Sequence, residues 1–253
     1  MRRGLARSRE QAAELVAAGL VKVAGTTATK PATAVEPATP LLVEAPPGPS
    51  YVSRGGHKLA GALDAFGYDP AGRRALDAGA STGGFTDVLL RRGAAHVVAA
   101  DVGYGQLSWS LQTDDRVTVL DRTNVRTLDL DTIGEPVQLV VADLSFIPLG
   151  LVLPALLRCC APGADLLPMV KPQFEVGRER LPSGGVVRDP ALRAEAVREV
   201  ARQAAELGLG VRAVTASPLP GPSGNVEYFL WLTAAAPPLV EELLQAAVLA
   251  GPS

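Results

Sequence analysis

From residue 75 onward, short runs of apolar residues alternate with stretches whose apolar positions recur at helical spacing. The runs at 75–78, 96–101, 117–120, 138–142 and 166–170, followed by 211–216 and 227–232, predict seven strands. Helical periodicity falls near 56–66, 84–92, 149–159 and 189–207, with a terminal helix from about 238 to 250. Because the strand runs are apolar throughout, both of their faces are expected to be covered. The pattern predicts an α/β architecture, a Rossmann-like parallel sheet of seven strands with helices on both sides. In such sheets ligands bind beyond the carboxyl ends of the strands, near the point where strand order reverses.

The first fifty residues follow a different rhythm. Ser8 can cap a helix over 9–18, with Leu15, Val16 and Leu20 on its apolar side and Gly19 as its stop. A short strand follows at 20–23. Residues 31–49 carry Pro31, Pro37, Pro40, Pro46, Pro47 and Pro49, which predicts extended chain without helix, 41–44 being a further strand candidate. The expected organisation is a small α+β domain over 1–45, a linker over 46–52 and the sheet domain over 53–253.

Composition narrows the classes. The 253-residue chain is 47% hydrophobic, enough for a sizeable core. No apolar stretch approaches the roughly 20 residues that cross a bilayer, and the opening MRRGLARSREQ has charge without an apolar run behind it, so a cytoplasmic protein with no membrane partner is expected. The only cysteines, Cys159 and Cys160, are adjacent on a predicted helix, where they make neither an unstrained disulfide nor a zinc site; core packing is expected. His57 and His96 are the only histidines and lack metal-ligand spacing, so no metal is expected. The net charge of −2 conceals an asymmetry, since residues 1–30 hold six Lys and Arg against two Glu. A basic amino-terminal segment joined to an acidic body suits an anionic partner such as nucleic acid.

The run Asp77-Ala78-Gly79-Ala80-Ser81-Thr82-Gly83-Gly84-Phe85 reads as a strand end, a glycine turn and a helix start. Its spacing is neither G-x-G-x-x-G nor a GK[ST] phosphate loop. S-adenosylmethionine fits better, because it has no pyrophosphate and needs only close backbone approach beside its methionine part. Asp77 is then a candidate for the amino group, Asp101 for the ribose hydroxyls, and Asp121 to Asn124 for the flank of the adenine.

Four further residues lie at predicted element mouths: Lys58, Asp143, Lys171 and Glu227. Two lysines and two carboxylates give two protonation partnerships, a set suited to taking a proton from an unactivated hydroxyl. Asp143 and Lys171 end neighbouring strands, while Lys58 precedes the first strand and Glu227 opens the last. Burial of a lysine favours its neutral form and an adjacent carboxylate opposes this, so Lys171 either deprotonates or orients the acceptor. Arg54, with Arg122 and residues 178–180, is a candidate for substrate phosphates. The glycine-bearing stretches 181–187 and 221–225 are candidate lids.

The motifs SRGGHKL (53–59), DAGASTGGFTD (77–87), DLSFI (143–147), KPQFEVG (171–177), GVVRD (185–189) and SPLPGPSGNVEY (217–228) together resemble the TlyA family, also called hemolysin A-type proteins. The resemblance implies an S-adenosylmethionine-dependent ribosomal RNA 2′-O-methyltransferase acting on cytidines of 16S and 23S RNA, with an FtsJ-like fold and ribosomal RNA or ribosomal subunits as partners. It implies a catalytic Lys-Asp-Lys-Glu tetrad at Lys58, Asp143, Lys171 and Glu227, and a cofactor loop at 79–84. RGLARSREQA resembles the recognition helix of an RNA-binding domain shared with ribosomal small-subunit protein four. Arg2, Arg3, Arg7 and Arg9 are then expected on RNA. That domain's usual opening segment has no counterpart here, so the expectation is either a protein that starts earlier than this sequence or a copy that lacks part of the domain. Alternative readings are a membrane-active hemolysin, which the absence of spanning segments disfavours, a methyltransferase acting on something other than RNA, and a non-catalytic RNA-binding protein.

Overall fold

The computed structural model describes residues 3–6, 9–17, 19–33, 35–44 and 50–252. They fall into two units, Met1–Ser50 and Tyr51–Ser253.

The smaller unit contains helix α1 (Arg9–Ala17) and strands β1 (Val21–Val23), β2 (Thr26–Thr27) and β3 (Leu41–Val43), in the order β2-β1-β3 with both pairings antiparallel. Strand β2 was not legible, because two exposed threonines carry no apolar alternation. A turn at Ala24 and Gly25, both at positive φ, reverses the chain into it. The expected cap Ser8 and the candidates Arg2 and Arg7 lie outside the described residues.

The larger unit runs α2 (Arg54–Phe66), β4 (Arg74–Ala78), α3 (Gly84–Arg91), β5 (His96–Ala100), α4 (Trp109–Gln112), β6 (Val117–Leu120), α5 (Leu130–Ile133), β7 (Val137–Ala142), α6 (Leu153–Arg158), β8 (Cys160–Val170), α7 (Pro172–Glu175), α8 (Pro190–Glu206), β9 (Gly210–Ala216), β10 (Tyr228–Thr233) and α9 (Glu241–Ala250). Short 3-10 turns occupy Val125–Thr127 and Leu149–Leu151. The seven strands order as β6-β5-β4-β7-β8-β10-β9, so the direction of winding reverses between β4 and β7. Pairings among β4 to β8 are parallel; β10 alone runs against its neighbours β8 and β9, which corrects the expectation of a parallel sheet.

Alternation along the buried strands sorts side chains into two apolar layers. Leu76, Val98, Val140 and Leu166 pack with α6, α8 and α9 through Leu153, Val197 and Leu244. Ala75, Val97, Leu139 and Leu167 pack with α2 and α3 through Leu59, Leu63, Val88 and Leu89. The helix expected over 149–159 is broken into a 3-10 turn and α6, and Cys160 opens β8 rather than lying on a helix. Cys159 is buried in the first layer, as packing requires. Tyr51 and Val52, expected in the linker, instead join the larger unit: Tyr51 meets the His57 ring edge-on at 5.0 Å, and Val52 N donates to Asp87 Oδ2 at 2.9 Å. Among the described residues no helix is long and apolar enough to cross a membrane.

Candidate active site

The carboxyl ends of β7 and β8 bring Asp143 and Lys171 together, with Lys171 Nζ 2.6 Å from Asp143 Oδ1. Asp143 Oδ1 has no hydrogen-bond partner, so this contact is a charge pair. The hydrogen bond of good geometry goes from Lys171 Nζ to Ser145 Oγ, at 2.9 Å. Reversal of β10 brings Glu227 to the same rim: Tyr228 pairs with Val170 in antiparallel register, so the residue before Tyr228 lies across from the residue after Val170. Glu227 Oε2 accepts from Lys58 Nζ at 2.5 Å, and the two side chains are 2% and 9% exposed. Lys58 reaches it from α2, whose apolar residues Leu59, Ala62 and Leu63 are buried around it. Gly221 faces this carboxylate; a Cβ there would stand 2.7 Å from Glu227 Oε1. All four tetrad residues therefore meet at one rim, in two lysine–carboxylate pairs.

The glycine loop follows β4 at the winding reversal, where ligand sites of such sheets lie. Gly79 has φ +87°, and a Cβ on it would meet the carbonyl oxygen of Asp143 at 2.6 Å, so only glycine permits this approach. The Asp143 amide in turn donates to Ala78 O. Ser81, held at φ +48°, donates its N–H to Asp101 Oδ2 at 2.8 Å, and Gly103 N donates to Asp101 Oδ1 at 2.7 Å. Asp101 thus fixes the loop as well as closing β5. Asp77 is fully buried; one oxygen accepts from Thr86 Oγ1 at 2.7 Å, and Oδ1 has no partner. Burial, with smaller contributions from Asp143 and Asp101 against the Thr86 bonds, pushes its pKa up to about 7.

Several expected residues have partners of their own. Phe85 is buried in the core with its ring 5.9 Å from Phe229, so its side chain is withdrawn from the cofactor loop. Asn124 caps a 3-10 turn, its Oδ1 accepting from Arg126 N at 3.1 Å. Asp121 Oδ2 accepts from Gly105 N at 3.0 Å. Ala80, Thr82, Gly83 and Gly84 do form the loop, Thr82 O accepting from Ser108 N. Arg3 stays exposed and donates to the carbonyls of Thr39, Pro37 and Glu36 at 2.5, 2.6 and 2.8 Å within its own unit. Arg9 lies on α1 and Arg54 opens α2.

Sequence reasoning missed Ser145, Phe146 and Asn225. Phe146 sits at φ +64°, is 90% exposed and stands 5.1 Å from the Phe174 ring, so it forms an apolar lip beside Lys171. A phenylalanine held in the left-handed region points to a local constraint. Asn225 is buried; it accepts from Val187 N and donates to Gly185 O, both at 2.9 Å, which fastens the two expected lids to each other. The SGN tripeptide at 223–225 was the available signal, since a buried asparagine must satisfy its amide.

The chemistry of these residues suits S-adenosylmethionine, which carries a cationic amino group and ribose hydroxyls. A glycine cradle opens beside an unpartnered buried carboxylate oxygen and a second carboxylate, at the sheet's winding reversal. Among the described residues no cluster of His, Cys, Asp and Glu has the makings of a metal site.

Comparison with known proteins gives the family and the fold. Residues 51–234 match the model of the FtsJ-like methyltransferase family, and residues 2–39 match that of the S4 domain. The chain is 65% identical to the 16S/23S rRNA (cytidine-2′-O)-methyltransferase TlyA of Mycobacterium tuberculosis, over 92% of this chain and 87% of that protein. It is 42% identical to YqxC of Bacillus subtilis, whose name proposes an rRNA methyltransferase, over 91% and 82% of the two chains. A solved structure of a hemolysin candidate from Streptococcus thermophilus superposes with TM-score 0.81 at 37% identity, covering 98% of this chain and 91% of that one.

Proposed function

The chain belongs to the FtsJ-like methyltransferase family, and on that premise we propose that it methylates the 2′-hydroxyl of cytidine ribose in 16S and 23S ribosomal RNA, using S-adenosylmethionine. The observation that carries this reading is the convergence of two lysine–carboxylate pairs on the rim that also holds the glycine loop. When bound, S-adenosylmethionine supplies an electrophilic methyl carbon. Gly79, Gly83 and the Asp77 and Asp101 carboxylates are the residues to hold it. On the acceptor side, Lys171 Nζ is fixed by Asp143 and Ser145 and presents its remaining donor capacity to the ribose oxygen. Orientation of this kind accounts for much of the acceleration in an in-line transfer. The proton given up by the hydroxyl is taken by the Lys171–Asp143 pair, while the buried Lys58–Glu227 pair closes the floor beside it. The exposed Phe146 ring offers a face for the acceptor's base.

The S4 match and the arginines at 2, 3, 7 and 9, ahead of and opening α1, support RNA as the substrate. Neutralising Arg7 and Arg9 together lowers RNA affinity and flattens its salt dependence by about one unit of slope for each phosphate no longer neutralised. The decisive experiment incubates the protein with labelled S-adenosylmethionine and ribosomal subunits from a strain lacking the enzyme, then maps the modified nucleotide. Label on a cytidine 2′-oxygen is expected. Label on a base atom or on protein, or none, would overturn the assignment.

A further inference from the structure

Two segments carry the open pair of the site: residues 143–149, which follow β7, and residues 171–175, which follow β8. Lys171 to Ser145 and Phe146 to Phe174 join them at the rim. A third link lies behind, where Glu175 Oε1 accepts from the backbone N–H of Leu149 at 3.0 Å. Leu149 is 2% exposed and opens a 3-10 turn, so without this acceptor its amide is left buried and unpaired.

We propose that Glu175 is a positioning residue for methyl transfer, a clamp that acts through the Leu149 amide to hold the Asp143 loop in register with Lys171. This rests on the function proposed above. Glu175 also borders a cavity of about 410 Å³, where Arg180, Glu195, Arg198, Glu199 and Arg202 face it. Each guanidinium there is engaged by another carboxylate: Arg180 by Glu195, Arg198 by Glu241, and Arg202 by Glu199 and Glu206. Burial, with a smaller push from Glu199 and against the Leu149 bond, raises the Glu175 carboxyl to about 7. An N–H bond to a carboxylate is stronger than one to a neutral carboxyl. The clamp therefore tightens as pH rises through that value and slackens as pH falls.

The test compares wild type, Glu175→Gln and Glu175→Ala in single turnover on ribosomal subunits between pH 6 and 8.5, together with hydrogen exchange at the Leu149 amide. Glutamine keeps an acceptor oxygen without titrating. Glu175→Ala should lower kcat about tenfold or more, with KM and cofactor Kd within about twofold, because misplaced reacting groups cost rate rather than binding. Its Leu149 amide should exchange faster. Glu175→Gln should recover most of the rate and lose the part of the pH profile centred near neutrality. Wild-type kcat and slow Leu149 exchange in Glu175→Ala would overturn the clamp, as would equal losses in both variants. If wild type transfers no methyl group to subunits, the functional assignment has failed, and Leu149 exchange alone still decides whether the clamp exists.

Discussion

On the function proposed here the sheet rim has an acceptor half and a cofactor half, and the two are built by different means. On the acceptor half, at β7, β8 and β10, side-chain charges face one another as Lys171–Asp143 and Lys58–Glu227. On the cofactor half, at β4 and β5, carboxylates face backbone: Asp101 holds the amides of Ser81 and Gly103, and Gly79 brings its main chain against the Asp143 carbonyl. Backbone approach suits a cofactor that is bound and released unchanged in position. Paired side-chain charges suit the half where a proton has to move. Substitutions on the two halves should therefore separate rate from cofactor affinity.

The largest effect tests the acceptor half. Lys171→Ala should lower single-turnover methylation about 10²- to 10⁴-fold while calorimetric S-adenosylmethionine affinity stays within about threefold; a large loss of cofactor affinity would erase the division between halves. Next comes the enclosed pair. Removing one partner leaves a buried charge uncompensated, so Glu227→Ala should cost about 3 kcal/mol in denaturant unfolding as well as activity. The double variant Lys58→Met/Glu227→Leu should regain most of that stability and none of the activity, which separates the pair's structural part from its chemical one. Asp101→Ala should weaken cofactor binding about tenfold or more, since a charge-assisted acceptor of loop amides is removed, with little change in the rate at saturating cofactor.

The smallest effect is a pH dependence. Asp77 has a folded pKa near 7, above its unfolded value, so its contribution to stability is full at low pH and is lost as pH rises through about 7. Asp77→Asn should therefore be relatively more stable than wild type at pH 8 than at pH 5 when unfolding is followed across that range. A flat difference would mean that Asp77 does not titrate in the folded protein.

Much of this was legible in advance because the strands are apolar on both faces. All seven runs became strands, and Asp143 and Lys171 came together at neighbouring strand ends as expected. What was not legible depended on direction and on partners. Glu227 reaches the rim because β10 runs backward, and an apolar run looks the same in either direction. The helices at Trp109–Gln112, Leu130–Ile133 and Pro172–Glu175 have four residues each, too few for a 3.6-residue period to emerge. Arg3 counted as basic charge, but its carbonyl partners lie more than thirty residues away in the chain. Phe85 belonged by position to the glycine motif and by chemistry to the core.

The close approach of Gly79 to the Asp143 carbonyl has a thermodynamic consequence. On the proposed function this contact joins the cofactor loop to the acceptor rim, so whatever factor cofactor occupancy applies to RNA affinity, RNA must return to the cofactor. Bulk at that single point, as in Gly79→Ala, would press on both ligands at once.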